Sequence, residues 1–406
     1  MSNLSNRTHG PCRGGKFLPA LKRNLLHIAS FDGNIGDNAS HNGFYRQLRE
    51  NTTWEISVQQ KEIRKTYLNY PAADRWFWND DLIAQMGEQD VTIVGGGNYF
   101  ELWLENSRTG TTIDLNPESL RNLKSPLFFN AVGCDPNIGV TQETIERFRG
   151  FVETVLQHPM CMLTVRNDGS SKYLTEYLGQ EVADQIEVVP DPGFFVDPCR
   201  AELPRSLEDK RFWVLNLAKD RPERRFPGTR GKLDYKGFIT EISGFIEEIC
   251  LHYPDLQIVL VPHIFSDLDP IRDVMAELPD PIRRWRISVA PLLHGMGAEK
   301  TIFALYKEAE LAMGPRFHAN VCPIGLGTPT LGLVTTQKLT DLYEELGIPE
   351  RAIDAQTPGF GQQLLQAAEK TLRCQNDIKD DYRTLRANLK TRSDEVYRNL
   401  ESLVDS

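Results

Sequence analysis

Asn24-Leu25-Leu26-His27-Ile28-Ala29-Ser30 runs without a break into Phe31-Asp32-Gly33-Asn34-Ile35-Gly36-Asp37-Asn38-Ala39. A mostly apolar run of strand length meets a glycine turn, and a helical stretch follows to about Glu50. Strand, glycine turn and helix are the opening of a βαβ unit. Outward from it the pattern repeats. Trp54 to Val58, Asp90 to Val94, Pro126 to Gly133, Cys161 to Val165 and Gln185 to Val189 read as further strands, and Thr141 to Gln157 as a helix capped by Thr141. The strands are short and apolar throughout, as expected of a parallel sheet covered on both faces.

Pro190-Asp191-Pro192-Gly193 closes this half, and the proline- and charge-rich stretch from Asp197 to Lys210 suits a linker. The alternation then restarts. Phe212 to Leu217, Gln257 to Val261, Arg286 to Val289, Glu310 to Met313 and Thr330 to Val334 read as strands, with helices from Tyr235 to Leu251 and Lys300 to Glu310. The sequence thus predicts an α/β chain with two Rossmann-like, doubly wound parallel sheets. The divisions are a disordered lead-in over 1–22, an N-terminal domain over 23–200, a C-terminal domain over 201–357 and a helical tail over 358–406.

The composition bounds the function. A chain of 406 residues exceeds one ordinary core. Its net charge of −10 leaves no basic surplus for a nucleic-acid partner. No apolar run is long enough for a membrane-spanning helix, and the start lacks the apolar centre of a secretory signal. The seven cysteines are odd in number and lack a Cys-x-x-Cys pair, so a disulfide framework or zinc site is not expected and a cytoplasmic setting fits best. Cys322 reads as a small buried thiol rather than a nucleophile. The basic clusters at 221–225 and 283–286 read as solvated helix faces or loops.

Ligands of such sheets sit beyond the carboxyl ends of the strands. Those ends carry the glycines and polar groups of this chain. Asn34, Gly36 and Asp37 form a turn suited to an anion or a hydroxylated substrate; the third glycine of a dinucleotide fingerprint is missing. Gly96, Gly97 and Asn98 permit close backbone approach to a ligand. Arg166 and Asp168 follow a strand, as does His263, with Asp267 four residues on and placed to orient its imidazole. Arg316 and His318 follow Met313-Gly314-Pro315, uniting a planar cation suited to phosphate or carboxylate with a proton carrier. His27, inside an apolar strand, reads as core. Trp76-Phe77-Trp78, Tyr99-Phe100 and Trp103 read equally as a sugar-stacking surface or as core. No metal-ligand spacing occurs.

Taken in order, these segments resemble the polysaccharide pyruvyl transferase family from about Leu25 to Pro349. The resemblance rests on the motifs at 33–39, 95–98, 164–171, 188–192, 261–263 and 316–319, and on the run from Gly327 through Lys338 to Pro349. It implies a GT-B-like arrangement, with an acceptor-side N-terminal domain facing a donor-side C-terminal domain across a cleft. It also implies transfer of a pyruvyl group from phosphoenolpyruvate to two hydroxyls of a carbohydrate acceptor, with no other cofactor. Carried onto this chain, Arg316 and His318 become donor-site residues, with His263 beside them; Lys338 joins the binding residues and Asp37 the catalytic ones. The family usually has an aspartate where this chain has Asn167, so that role either falls to Asp168 or is lost. A homo-oligomer is compatible with the sequence. Two further readings share the scaffold: a glycosyltransferase with a nucleotide-sugar donor, and a sugar- or anion-binding protein without catalysis.

Overall fold

The structure, a computed structural model, describes residues 21–67, 70, 73–136, 139–198, 204–205 and 207–406. Most of the expected lead-in, with Cys12, lies outside these residues, as does Cys199. Leu21 and Lys22, assigned to the lead-in by the sequence, instead begin the first strand.

The strands in chain order are β1 (Leu21–Ala29), β2 (Trp54–Glu62), β3 (Val91–Gly95), β4 (Phe100–Glu101), β5 (Leu127–Val132), β6 (Cys134–Asp135), β7 (Cys161–Arg166), β8 (Glu187–Val189), β9 (Phe212–Leu215), β10 (Gln257–Leu260), β11 (Ile287–Val289), β12 (Leu311–Gly314), β13 (Thr330–Val334) and β14 (Ala352–Asp354). The first sheet has the order β2-β1-β3-β5-β7-β8 and the second β11-β10-β9-β12-β13-β14. Every pairing within them is parallel. The second order is that of the Rossmann fold, and the first follows the flavodoxin-like variant. In each sheet the winding reverses once, between β1 and β3 and between β9 and β12. A crevice opens at such a reversal because the flanking connections leave on opposite faces.

Helical periodicity explains how the sheets are covered. In the helix Gln142–Gln157 the buried Phe148, Phe151, Val152 and Val155 form one stripe on the first sheet. In the helix Tyr235–His252, Phe238, Ile239, Ile242, Phe245, Ile246 and Ile249 do the same for the second. Each such side chain contributes on the order of 1.5–3 kcal/mol by leaving water. The tail forms two helices, Phe360–Arg373 and Gln375–Asp405. The first packs on the second sheet's core through Phe360, Leu364, Leu365 and Ala368. The last crosses back, placing Val396, Tyr397 and Leu400 among Leu25, Phe44 and Trp54 of the first half.

β5 carries a bulge that shapes the cleft. Its register with β7 shifts between Phe129 and Val132, with Ala131 at φ +49°. The bulge re-aims the chain so that Gly133 donates to the Gly97 carbonyl at 2.9 Å and β6 pairs with β4. Asn98 and Asp135 are thereby brought to one wall.

Candidate active site

The carboxyl ends of both sheets face one another across the cleft. A cavity of about 280 Å³ opens where the two winding reversals meet. Asn34, Asp37, Gly97, Asn98 and Arg166 line it from the first half, and His263, Arg316, His318 and Lys338 from the second. Asp168 sits directly behind Lys338, and Gly36 behind His318. The structure therefore brings the sequence-derived residues together, except Gly96, which does not line the cavity.

His318 opens the helix His318–Leu326. This N-terminus meets the N-terminus of the helix Ile35–Asn51 so closely that a methyl group on Gly36 would stand 2.5 Å from His318 Nδ1. Glycine at 36 is thus required by the close approach. The other ring nitrogen, Nε2, lies 3.4 Å from Asp191 Oδ1, a charge contact longer than a good hydrogen bond. Burial alone would raise the Asp191 carboxyl, but the charges of His318 and Arg166 and the Gly193 N–H hold it well below the usual carboxylate range. Asp191 is therefore an anion that fixes the imidazole from behind.

Arg316 differs from its expected role as a free anion grip. Nε donates to Asp267 Oδ2 at 2.7 Å, and Nη2 reaches Asp267 Oδ1 and, at 2.7 Å, Asp220. Two carboxylates hold the fork, and among the described residues only Nη1 remains for a ligand. Asp267 does not orient the His263 imidazole, as the four-residue spacing suggested; it accepts from the His263 backbone N–H at 2.9 Å. The imidazole pairs through Nε2 with the Tyr306 hydroxyl at 2.8 Å, and among the described residues Nδ1 has no partner. Burial and the nearby charges of Arg316 and His318 hold His263 well below the ordinary histidine range, so it is neutral.

Arg166 is buried between Asp168 at 2.6 Å and Asp191 at 3.3 Å, and lies over the Phe317 ring. Lys338, in the first turn of the helix Gln337–Glu345, crosses the cleft to Asp168 at 2.7 Å and Asn98 Oδ1 at 2.7 Å. Asn167 holds the backbone beside this cluster, its Oδ1 accepting from the Asp191 N–H at 2.9 Å. Cations thus face the cavity while Asp168, Asp191 and Asp267, fully buried, stand behind them.

The remaining residues that the sequence singles out fall as follows. Asn34 uses its Oδ1 to cap the first helix, accepting from the Gly36 N–H at 3.0 Å, and also lines the cavity. Gly96 (φ +78°) is packed against His41, and Gly97 against the Tyr99 ring, so the triple glycine serves internal packing as well as the cavity wall. Cys322 is a buried thiol, as the sequence reads it, and burial raises it well above its ordinary pKa. His27 is core, bonded to the Tyr45 hydroxyl at 2.6 Å. Trp78 and Phe100 are core, while Tyr99 lines the cavity. Asp37 lies 3.7 Å from Arg64.

Arg64 and Tyr67 are cavity residues that the sequence reading misses. Ending β2 at Val58 leaves them in a remote connection, whereas the strand runs to Glu62 and delivers them to its carboxyl end. β2 is an edge strand, and Gln59, Gln60, Lys61 and Glu62 are all polar, so no apolar alternation marks its extension beyond Val58.

Sequence comparison matches residues 23–336 to polysaccharide pyruvyl transferase. The chain belongs to this family. Among curated proteins none matches the chain. Solved structures of the same GT-B-like fold include S. aureus MnaA with UDP, at 12% identity and TM-score 0.54, covering 94% of this chain and 97% of that one. The UDP-GlcNAc 2-epimerase from Neisseria meningitidis, bound to UDP-GlcNAc, has 11% identity and TM-score 0.53, with 94% and 100% covered. A putative UDP-N-acetylglucosamine 2-epimerase from Listeria monocytogenes has 13% identity and TM-score 0.56, with 89% and 90% covered. At such identities the likeness concerns the fold. As a member of a transferase family with carbohydrate acceptors, the chain has its candidate residues at the crevice that this fold reserves for ligands. Among the described residues, no helix is long and apolar enough to cross a membrane.

Proposed function

We propose that this family member transfers a pyruvyl group from phosphoenolpyruvate to two hydroxyls of a sugar, releasing phosphate and leaving a cyclic ketal. The observation that supports it most is the small cavity in which His318, the free Nη1 of Arg316, Arg64 and Lys338 converge, with buried carboxylates behind. A compact trianion needs such a surface, and an enol needs a proton donor beside it.

Protonation of the methylene carbon leaves an oxocarbenium-like centre at the adjacent carbon. One sugar hydroxyl adds there, phosphate departs, and the second hydroxyl closes the ring. One hydroxyl proton ends on the new methyl group and the other on the phosphate. His318 is the general acid, with Asp191 as its positioning residue; such assistance contributes roughly 10²–10⁴-fold. Asp37, beside Arg64, receives a hydroxyl proton. Arg316 and Lys338 hold the phosphate and carboxylate of the donor, and His263, neutral, lines the floor.

The test is phosphate release from phosphoenolpyruvate with a panel of free, nucleotide-linked and lipid-linked sugars, with the ketal identified by mass spectrometry. His318→Ala is expected to abolish release while keeping its melting temperature and its calorimetric titration with phosphoenolpyruvate close to wild type. Full-rate ketal formation by that variant, or failure of the wild type to bind phosphoenolpyruvate, overturns the proposal.

A further inference from the structure

The second half grips the first helix, Ile35–Asn51, at three points along its length. The Ile35 N–H donates to the His263 carbonyl at 3.2 Å. Within the first turn the Asn38 amide reaches the Met296 sulfur at 3.1 Å, and a turn later the Asn42 amide donates to Glu299 Oε1 at 3.1 Å. Positions 38 and 42 are four apart and share one face of the helix. Both of their acceptors come from one short segment, Gly295 to Glu299, which runs into the helix Ala298–Glu308. Gly295 and Gly297 stand on either side of Met296 at φ +78° and +101°, a backbone that other residues seldom adopt. The turn they make packs Met296 against the cluster that holds Leu25 and Phe44 of the first half.

Glu299 is wholly out of water. Its Oε2 accepts from the Gly297 N–H at 2.6 Å while Oε1 takes the Asn42 amide. Asn42 is fixed in turn, because its Oδ1 accepts from the Asp197 N–H at 2.9 Å. A buried carboxylate costs more than an apolar side chain filling the same space. What it adds is direction, since only one placement of the helix satisfies all three bonds with good geometry. The helix so held begins with Gly36, which abuts His318, and Asp37, which lines the cavity.

We infer that the segment Gly295–Glu299 is a strap that sets the position of the first helix, with Glu299 and Asn42 as positioning residues for Asp37 and His318. This rests on the pyruvyl-transfer reading, in which those two groups move the protons. The donor is held by Arg316 and Lys338, both of the second half, so a shift of the first helix lowers kcat and spares the KM for phosphoenolpyruvate.

A charge swap tests the strap. Asn42→Asp sets two carboxylates face to face. At about pH 6 they share a proton and the contact holds; toward about pH 9 both ionise and it parts. Adding Glu299→Gln restores an amide opposite a carboxylate. The introduced glutamine accepts from the Gly297 N–H and donates to the introduced aspartate, which still accepts from the Asp197 N–H, so no bond is lost. Steady-state kinetics across this range, below the melting temperature of each protein, compare the wild type with the single and double variants. Between the two limits kcat of Asn42→Asp is expected to fall at least about tenfold relative to the double variant, with KM for phosphoenolpyruvate within about twofold. The double variant is expected to follow the wild type. If the single variant keeps the wild-type profile, or the double variant fails to recover it, the strap does not position the site. A parallel loss of kcat and donor affinity also overturns the inference, because it marks a general loosening of the fold. Melting temperatures over the same range keep the two readings apart. If the wild type neither binds nor consumes phosphoenolpyruvate, the pyruvyl reading falls and the catalytic role of the strap with it, whereas an alkaline melting deficit in the single variant that the double variant repairs reports the contact itself.

Discussion

The guanidinium of Arg316 gives Nε and Nη2 to Asp267 and Asp220, and the imidazole of His318 rests against Asp191. Both side chains that the sequence singles out are therefore held by buried carboxylates, and neither partnership can be read from spacing. Asp191 and His318 are 127 positions apart in the numbering, and only the fold joins them. The arrangement has a pH consequence. Asp191 is depressed in the folded state, so its contribution to stability is present above the unfolded value, about 4, and is lost as pH falls through the lower folded value. Asp191→Asn is expected to cost about 3 kcal/mol at pH 7, because Arg166 and His318 lose a buried counter-charge. Its stability is also expected to fall less steeply than wild type below about pH 4. Urea titrations across that range measure both quantities, and equal acid slopes in the two proteins would refute the assignment.

At the scale of elements, strands declare themselves and junctions do not. A buried parallel strand must be apolar on both faces, which is why β1, β3, β5 and β7 stand out in the sequence. β2, at an edge, alternates instead and is read four residues short, which hides Arg64. The helix Gln337–Glu345 is missed too, yet it reaches across to the first half through Lys338, through Asp341 to Lys172 and through Glu345 to the Gly169 N–H. The meeting of two helix N-termini at Gly36 and His318 gives the sharpest test at this scale. Alanine in a helix is ordinarily more stable than glycine by roughly 0.5–1 kcal/mol. At position 36 the added methyl meets the imidazole at 2.5 Å, which forces His318 or the helix to shift. Gly36→Ala is therefore expected to gain no stability and to lose on the order of 10²-fold in turnover, the usual cost of misplacing a reacting group by about 1 Å. Steady-state kinetics alongside thermal melting separate the two effects, and a more stable variant with unchanged turnover would show that the approach is not as close as the structure has it.

Over the whole molecule, the cleft depends on where the chain ends. The amphipathic pattern of the tail predicts two helices, but periodicity names a buried face without naming what covers it. The last helix leaves the second sheet and lies on the first, where Glu401 accepts from the Thr53 N–H and hydroxyl, Arg392 donates to the Val188 carbonyl and Asp405 pairs with Arg23. The chain thus passes between the sheets twice, once after β8, where Asp191 enters the site, and once before this helix. Such a double tie limits how far the halves separate and keeps His318 opposite Gly36. The exposed pairs along the helix contribute little, roughly 0–1 kcal/mol each. The anchor is apolar: Tyr397 is 2% exposed and its ring lies 5.7 Å from that of Phe44 on the first helix. Tyr397→Ala is expected to destabilise the protein by about 3–5 kcal/mol, as for other large-to-small changes of buried aromatics. Arg383→Ala, which removes only an exposed pair with Asp380, is expected to change stability by less than about 0.5 kcal/mol. Because Phe44 lies on the helix that begins at Asn34 and Gly36, the loss at Tyr397 is also expected to weaken phosphoenolpyruvate binding under conditions where the variant remains folded. Denaturant titrations of both variants, with calorimetric titration of the folded fraction, decide the matter. A Tyr397→Ala protein with wild-type stability would mean that the last helix does not seal the first sheet.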